Sequence, residues 1–119
     1  MSTTLDLFRN ETEFERFAAG QTIFTEGERG EVMYVVIDGK VELRVNGKLV
    51  ESLGQGGVFG EMALIDHAPR AATAIAKSDC KLVAIAEKRF LFMVQQTPRF
   101  ALQIMNVIAE RLRRMNDRL

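Results

Sequence analysis

Tryptophan is absent from this chain of 119 residues, and cysteine, histidine and tyrosine occur once each. A lone Cys80 cannot close an internal disulfide, and a lone His67 leaves almost no ligands for a zinc or iron site, so no metal is expected. Cys80 is expected as a small strand or turn residue and His67 as a loop residue. Net charge is also missing: 16 basic and 16 acidic residues cancel. That balance argues against a protein whose main business is covering nucleic-acid phosphates. No apolar run reaches membrane-spanning length, and Met1 to Asn10 is polar and mixed, without the core of a signal peptide. The expectation is a cytoplasmic, soluble protein that binds neither membrane nor nucleic acid.

What is present fits one domain over 1–119, because 47% hydrophobic content in 119 residues fills one core and leaves no room for a second. Charge is uneven: residues 1–60 hold ten acids and six bases, 61–119 six acids and ten bases, so the second half is the better anion environment. From about 13 to 86 the chain reads as short strands broken by glycine turns, about eight in all, at the spacing of an all-β roll or sandwich. Val41 to Val45 alternates apolar and charged residues strictly, which wets one face and buries the other. Asn46-Gly47 suits a type I′ hairpin turn, and Lys48 to Leu53 is the returning strand. Glu13 to Ala18, Gln21 to Thr25 and Val32 to Ile37 precede this hairpin, the last apolar throughout and so central. Arg70 to Ala76 and Leu82 to Ala86 follow, joined by a turn at Lys77 to Cys80.

After Ala86 the apolar spacing becomes helical. Phe90, Leu91, Met93 and Val94 give a helix over about Glu87 to Gln95 an apolar face. Thr97 is a good N-cap and Pro98 a good first residue for a last helix ending near Arg118. Ala101, Met105, Ile108, Leu112, Met115 and Leu119 then recur in steps of four and three. Such spacing suits a self-association seam or a lid on the same domain, and one helix can do both. The basic run Arg111, Arg113, Arg114 and Arg118 reads as a solvated face.

The densest chemistry lies between Phe59 and Ala74. Gly54, Gly56, Gly57 and Gly60 allow close backbone approach, and Glu61 to Ile65 can form a turn or two of helix whose first N–H groups suit a phosphate. Ala63, Ala71 and Ala72 keep side chains short, while Arg70 supplies a two-pronged donor matched to the free oxygens of a phosphodiester. Glu61 sits badly beside a phosphate unless it accepts from a sugar hydroxyl, pairs with a helix arginine, or merely complements the helix N-terminus.

This stretch resembles the phosphate-binding cassette of cyclic nucleotide-binding domains. Phe24 to Gly27, Met33 to Val36 and Gly39 to Val41 resemble that family's upstream strands and turns. The resemblance implies a mainly β fold, an eight-stranded jelly roll or double-stranded β-helix over about 13–86 with a short cassette helix, followed by C-terminal helices over about 87–118. It implies that Glu61 holds a ribose 2′-hydroxyl, that Arg70 pairs with the cyclic phosphate, and that backbone groups of Gly60, Met62, Ala63 and Ala71 complete the cradle. Leu43 and Val50 fall where the family lines its base pocket. Members selective for cyclic GMP often carry threonine or serine after the cassette arginine, so Ala71, followed by Ala72-Thr73, favours cyclic AMP while leaving cyclic GMP open. Arg111, Met115 and Asn116 fall on the lid helix, and Leu64 with Phe90 match the family's coupling pair. Met62, Leu64, Phe90 and Ile108 are expected in the core.

Three readings follow. The first is a cyclic nucleotide sensor, without cofactor or catalysis, that signals to an unnamed protein effector. The second is a structural module that dimerises through its last helix. The third is a metalloenzyme on a similar roll, which a single histidine disfavours. The sequence shows no helix-turn-helix after Leu119, which disfavours a transcription activator, and no membrane helix before Met1, which disfavours a channel.

Overall fold

The computed structural model of the chain describes residues 3–117, with side chains from Leu5 onward. The chain divides into two compact units, one ending at Glu87 and the next beginning at Lys88. That is where the apolar spacing changes from two to about 3.6.

The first unit opens with a short helix, α1 (Thr3–Asp6), which no sequence signal announced. Eight strands follow among the described residues: β1 (Glu15–Phe17), β2 (Thr22–Phe24), β3 (Val32–Asp38), β4 (Val41–Val45), β5 (Lys48–Leu53), β6 (Val58–Phe59), β7 (Thr73–Ala76) and β8 (Cys80–Ala86). A second short helix, α2 (Met62–Ile65), lies between β6 and β7. The strands form two four-stranded sheets, ordered β1-β8-β3-β6 and β2-β7-β4-β5, with every pairing antiparallel. This is the expected mainly β, eight-stranded roll.

One face of each sheet contributes to a shared core. Phe24, Val41, Leu43, Ala74 and Ala76 come from the second sheet; Tyr34, Val36, Phe59, Cys80 and Leu82 come from the first. Burying a side chain the size of Phe59 stabilises the fold by about 1.5–3 kcal/mol. β3 keeps Met33, Tyr34, Val35 and Val36 buried on both faces, as its unbroken apolar run requires of a strand flanked by β8 and β6. The β4–β5 hairpin turns at Asn46 (φ 52°) and Gly47 (φ 80°), the left-handed pair that a type I′ turn demands. Its register slips between Leu43 and Arg44, which face Glu51 and Leu49, so Val50 is the extra residue of a bulge.

Several boundaries differ from those the sequence suggests. The strand expected over Arg70 to Ala76 begins only at Thr73. Arg70 spends its backbone groups on the β2–β3 loop, donating to the Glu28 carbonyl at 2.9 Å and accepting from the Gly27 amide at 2.8 Å. Cys80 starts β8 rather than ending a turn, because its backbone pairs with Phe17. Val58–Phe59 forms a strand too short to show any periodicity. The first two strands are three residues each, shorter than read, with Glu13 and Gln21 outside them. His67 lies in a loop with φ 56°.

The second unit holds α3 (Glu87–Gln96), all but its first residue, and α4 (Arg99–Asp117). Thr97 and Pro98 start α4 by accepting from the amides of Phe100 and Ala101 at 2.9 and 3.1 Å. Phe90 and Phe100 bring their rings to 5.6 Å, tilted by 56°. Phe100 and Ile104 are the buried residues of α4. Leu91, expected on the apolar face of α3, is exposed, as is its neighbour Phe92. On α4, Leu102, Met105, Leu112 and Met115 are all more than half exposed. Arg113 and Arg114 are exposed as a solvated face should be; Arg118 and Leu119 lie outside the described residues.

Candidate ligand-binding site

The site grows from the ends of β2 and β6. Pairing of β2 with β7 sets Phe24 opposite Ala74, and the β2–β3 loop then folds back over the segment that leads into β7. Several hydrogen bonds hold that loop. Besides the two with the Arg70 backbone, the Glu26 amide donates to Thr73 Oγ1 and the Thr25 amide to Glu28 Oε1, both at 2.9 Å. Arg70 is thereby fixed at both backbone groups before its side chain is considered.

Its guanidinium is turned inward. Arg70 is only 7% exposed. Nη1 donates to the Gly60 carbonyl at 3.2 Å, and Cζ lies 4.0 Å from the centroid of the Phe24 ring. Nε is buried with no hydrogen-bond partner among the described residues. Burial lowers the Arg70 pKa from its ordinary value, opposed by Tyr34, Glu28 and Glu61, but a guanidinium keeps its proton in proteins. The result is a permanent cation, mostly removed from water, with one donor unmatched. Such a donor costs about 1–3 kcal/mol until it finds an acceptor.

Gly60 is the second fixed point. Its φ of 77° lies in the left-handed region, and a methyl group added there would come within 2.7 Å of Arg70 Nη1. Its carbonyl accepts from both Arg70 Nη1 and the Ala63 amide, the latter at 3.3 Å. The arginine is thus tied to the first turn of α2. Glu61 is 4% exposed at the head of that helix and makes no side-chain capping bond to it.

A solvent-open concavity lies above these groups, lined by Leu43, Gly60, Met62, Ala63, Arg70, Ala71 and Ala72, together with Phe24 and Pro69. The structure therefore brings together seven of the nine residues expected to bind the ligand; Glu61 and Val50 are not among the lining residues. Val50 packs against the core cluster from its bulge instead. Met62, expected in the core, is 38% exposed at the rim, whereas Leu64 on the next turn face is buried at 7%. Phe90, Ile108 and Arg111 are half-buried in the second unit, and Met115 and Asn116 are exposed there. Phe24 and Pro69 were not singled out as site residues. No local signal marks Phe24: only the β2–β7 pairing, which spans half the chain, carries it to the arginine. Among the described residues no group of histidine, cysteine, aspartate or glutamate is arranged to hold a metal ion, and no helix is long and apolar enough to cross a membrane.

Residues 14–97 match the family described as cyclic nucleotide-binding domain. The chain is 32% identical over 110 residues to a CRP-like cAMP-activated global transcriptional regulator of Mycobacterium tuberculosis, a match that takes in 87% of this chain and 48% of that protein. It therefore spans about half the length of this curated relative. The Thermus thermophilus catabolite activator protein superposes with a TM-score of 0.78 at 30% identity, over 96% of this chain and 60% of its own. The EAL enzyme Bd1971 aligns at 30% identity with TM-scores of 0.65 in its cAMP-bound form, over 88% of this chain and 30% of its own, and 0.66 in its cGMP-bound form, over 88% and 29%. With a family match across most of its length and a cassette built as described, this chain belongs to the cyclic nucleotide-binding domain family.

Proposed function

We propose that this chain is a regulatory sensor domain that binds a cyclic nucleotide, preferentially cyclic AMP, and performs no catalysis itself. The observation that carries this reading is the buried Arg70, a fixed cation at a solvent-open concavity with Nε unmatched. A cyclic phosphodiester offers one negative charge and two free oxygens, which is what a single guanidinium can answer. Gly60, Met62, Ala63 and Ala71 contribute backbone and short side chains around it. Glu61, an acceptor-only group when ionised, takes the ribose 2′-hydroxyl. Leu43 faces the base, and Ala71, lacking a hydroxyl, leaves guanine unrewarded. The relatives' names support the ligand class: one is cAMP-activated, and another has been solved with cAMP and with cGMP.

Signal output in this reading runs from the cassette to the helices. Leu64 and Phe90 are its coupling residues and Arg111, Met115 and Asn116 its lid residues, and the change is handed to a protein effector. Paired calorimetric titrations with cyclic AMP and cyclic GMP test the binding. Micromolar binding with a preference for cyclic AMP is expected, and each charge-assisted bond of Arg70 is worth roughly 1.5–3 kcal/mol, so Arg70→Ala should weaken it by at least tenfold. No heat and no thermal stabilisation at saturating concentrations of either nucleotide would sink the reading.

A second reading, association of two copies through α4, is favoured by the exposure of Leu102, Met105, Leu112 and Met115 along that helix. It is compatible with the first. Sedimentation with and without ligand separates them, since a monomer under both conditions removes the second and leaves the first intact.

A further inference from the structure

Arg70 carries the proposed function, yet the two groups its guanidinium rests on were not part of that reading. One is the ring of Phe24, with Arg70 Cζ 4.0 Å from its centroid. Phe24 is itself 7% exposed and held by Tyr34 and Phe59, whose ring centroids lie 6.1 and 5.8 Å away. It cannot swing aside without disturbing that cluster. The other is Gly30, in the β2–β3 loop. A methyl group built on Gly30 would overlap Nε and Cζ of Arg70 and come within 2.7 Å of Nη2. Gly30 does not need glycine for its backbone conformation, because its φ lies outside the left-handed range. What it supplies is the space that the arginine occupies.

We propose that Phe24 and Gly30 are positioning residues that hold the Arg70 guanidinium ready for an anion, the ring face by its attraction for the cation and the glycine by leaving room beside it. The attraction of a desolvated cation for an aromatic face is directional, so it fixes the plane of the guanidinium as well as its position. The bond from Nη1 to the Gly60 carbonyl fixes the remaining rotation. A side chain as long as arginine loses considerable rotamer freedom when it is immobilised, and here that loss is met before a ligand arrives. Removing either support returns the cost to the binding step.

The inference rests on the binding reading above, and its test keeps the two apart. The whole chain is titrated calorimetrically with cyclic AMP as wild type, Phe24→Leu, Phe24→Tyr, Gly30→Ala and Arg70→Ala, and as the double variants of the first and third substitutions with Arg70→Ala. Phe24→Leu and Gly30→Ala are expected to weaken binding roughly fivefold to tenfold, and Phe24→Tyr, which keeps the ring face, to restore most of it. In the Arg70→Ala background both substitutions should have no further effect, because a positioning residue acts only through the group it positions. A purely structural role would lower affinity equally in both backgrounds, and that result overturns the proposal. So does wild-type affinity in Phe24→Leu and Gly30→Ala while Arg70→Ala is weakened, an outcome that leaves the binding reading standing. Absence of wild-type binding overturns the binding reading and this inference with it. Should Phe24→Leu fail to fold, the Gly30→Ala cycle decides alone.

Discussion

Tyr34 stacks on Phe59 with ring centroids 5.3 Å apart and is 8% exposed. Burial raises its phenol above the ordinary 10.0, Glu15 adding to the effect and Arg70 opposing it. The unfolded phenol releases its proton near pH 10 while the folded one still holds it. Its contribution to stability is therefore complete below that value and falls as pH rises toward the folded pKa. Thermal midpoints are expected to lose the Tyr34 contribution only above about pH 10. Because the chain has one tyrosine and no tryptophan, its ultraviolet absorbance isolates this titration, and a midpoint at or below 10 would contradict the packing. Cys80 makes the same point by reactivity: burial pushes its thiol up from 9.0, and Sγ donates to the carbonyls of Lys40 and Ser78 at 3.2 Å. A thiol reagent should label it slowly in the native protein and readily after denaturation.

At the scale of elements, Gly60 and α4 give the sharpest tests. Gly60→Ala meets both a positive φ and the Arg70 Nη1 atom, so it should destabilise the fold by about 1 kcal/mol or more and weaken nucleotide binding together. Denaturant titration and calorimetry read the two effects. If α4 joins two copies, Met105→Glu with Leu112→Glu should convert dimer to monomer by sedimentation while leaving the first unit folded. How legible an element was from sequence follows from where its determinants lie. The β4–β5 hairpin was readable to the residue because alternation and the Asn46-Gly47 turn are local. The break between β3 and the cassette was not: Val58–Phe59 is a strand only because Tyr34 and Val35 pair with it. Arg70 to Ala72 looks like the start of a strand, yet Glu28, some forty residues earlier, claims the Arg70 amide. The cassette residues that line the concavity stood out by their glycines, short side chains and arginine and by family resemblance, whereas Phe24 and Gly30 reach Arg70 only through sheet pairing and loop return.

For the molecule as a whole, a ligand that binds only the folded form raises stability by RT ln(1 + [L]/Kd), about 2.7 kcal/mol at a hundredfold excess over Kd. In a domain of this size that corresponds to a rise in Tm of roughly 10 °C or more, measurable by scanning calorimetry with cyclic AMP and expected to vanish in Arg70→Ala. The order of the strands has a different consequence. β1 finds its ladder partner in β8, with Glu15 opposite Leu82, so the first strand of the roll to be made waits for the last. Loop closure over so many residues is slow, which places this fold among the slower folders of its size. Arg70 and Gly60 are both synthesised before β8 completes the sheet, so the nascent chain carries the residues of the site before it has the frame that holds them. Stalled synthesis before Cys80 would then leave the edges of β1 and β3 open to other chains, and a nucleotide could not rescue what has not yet closed.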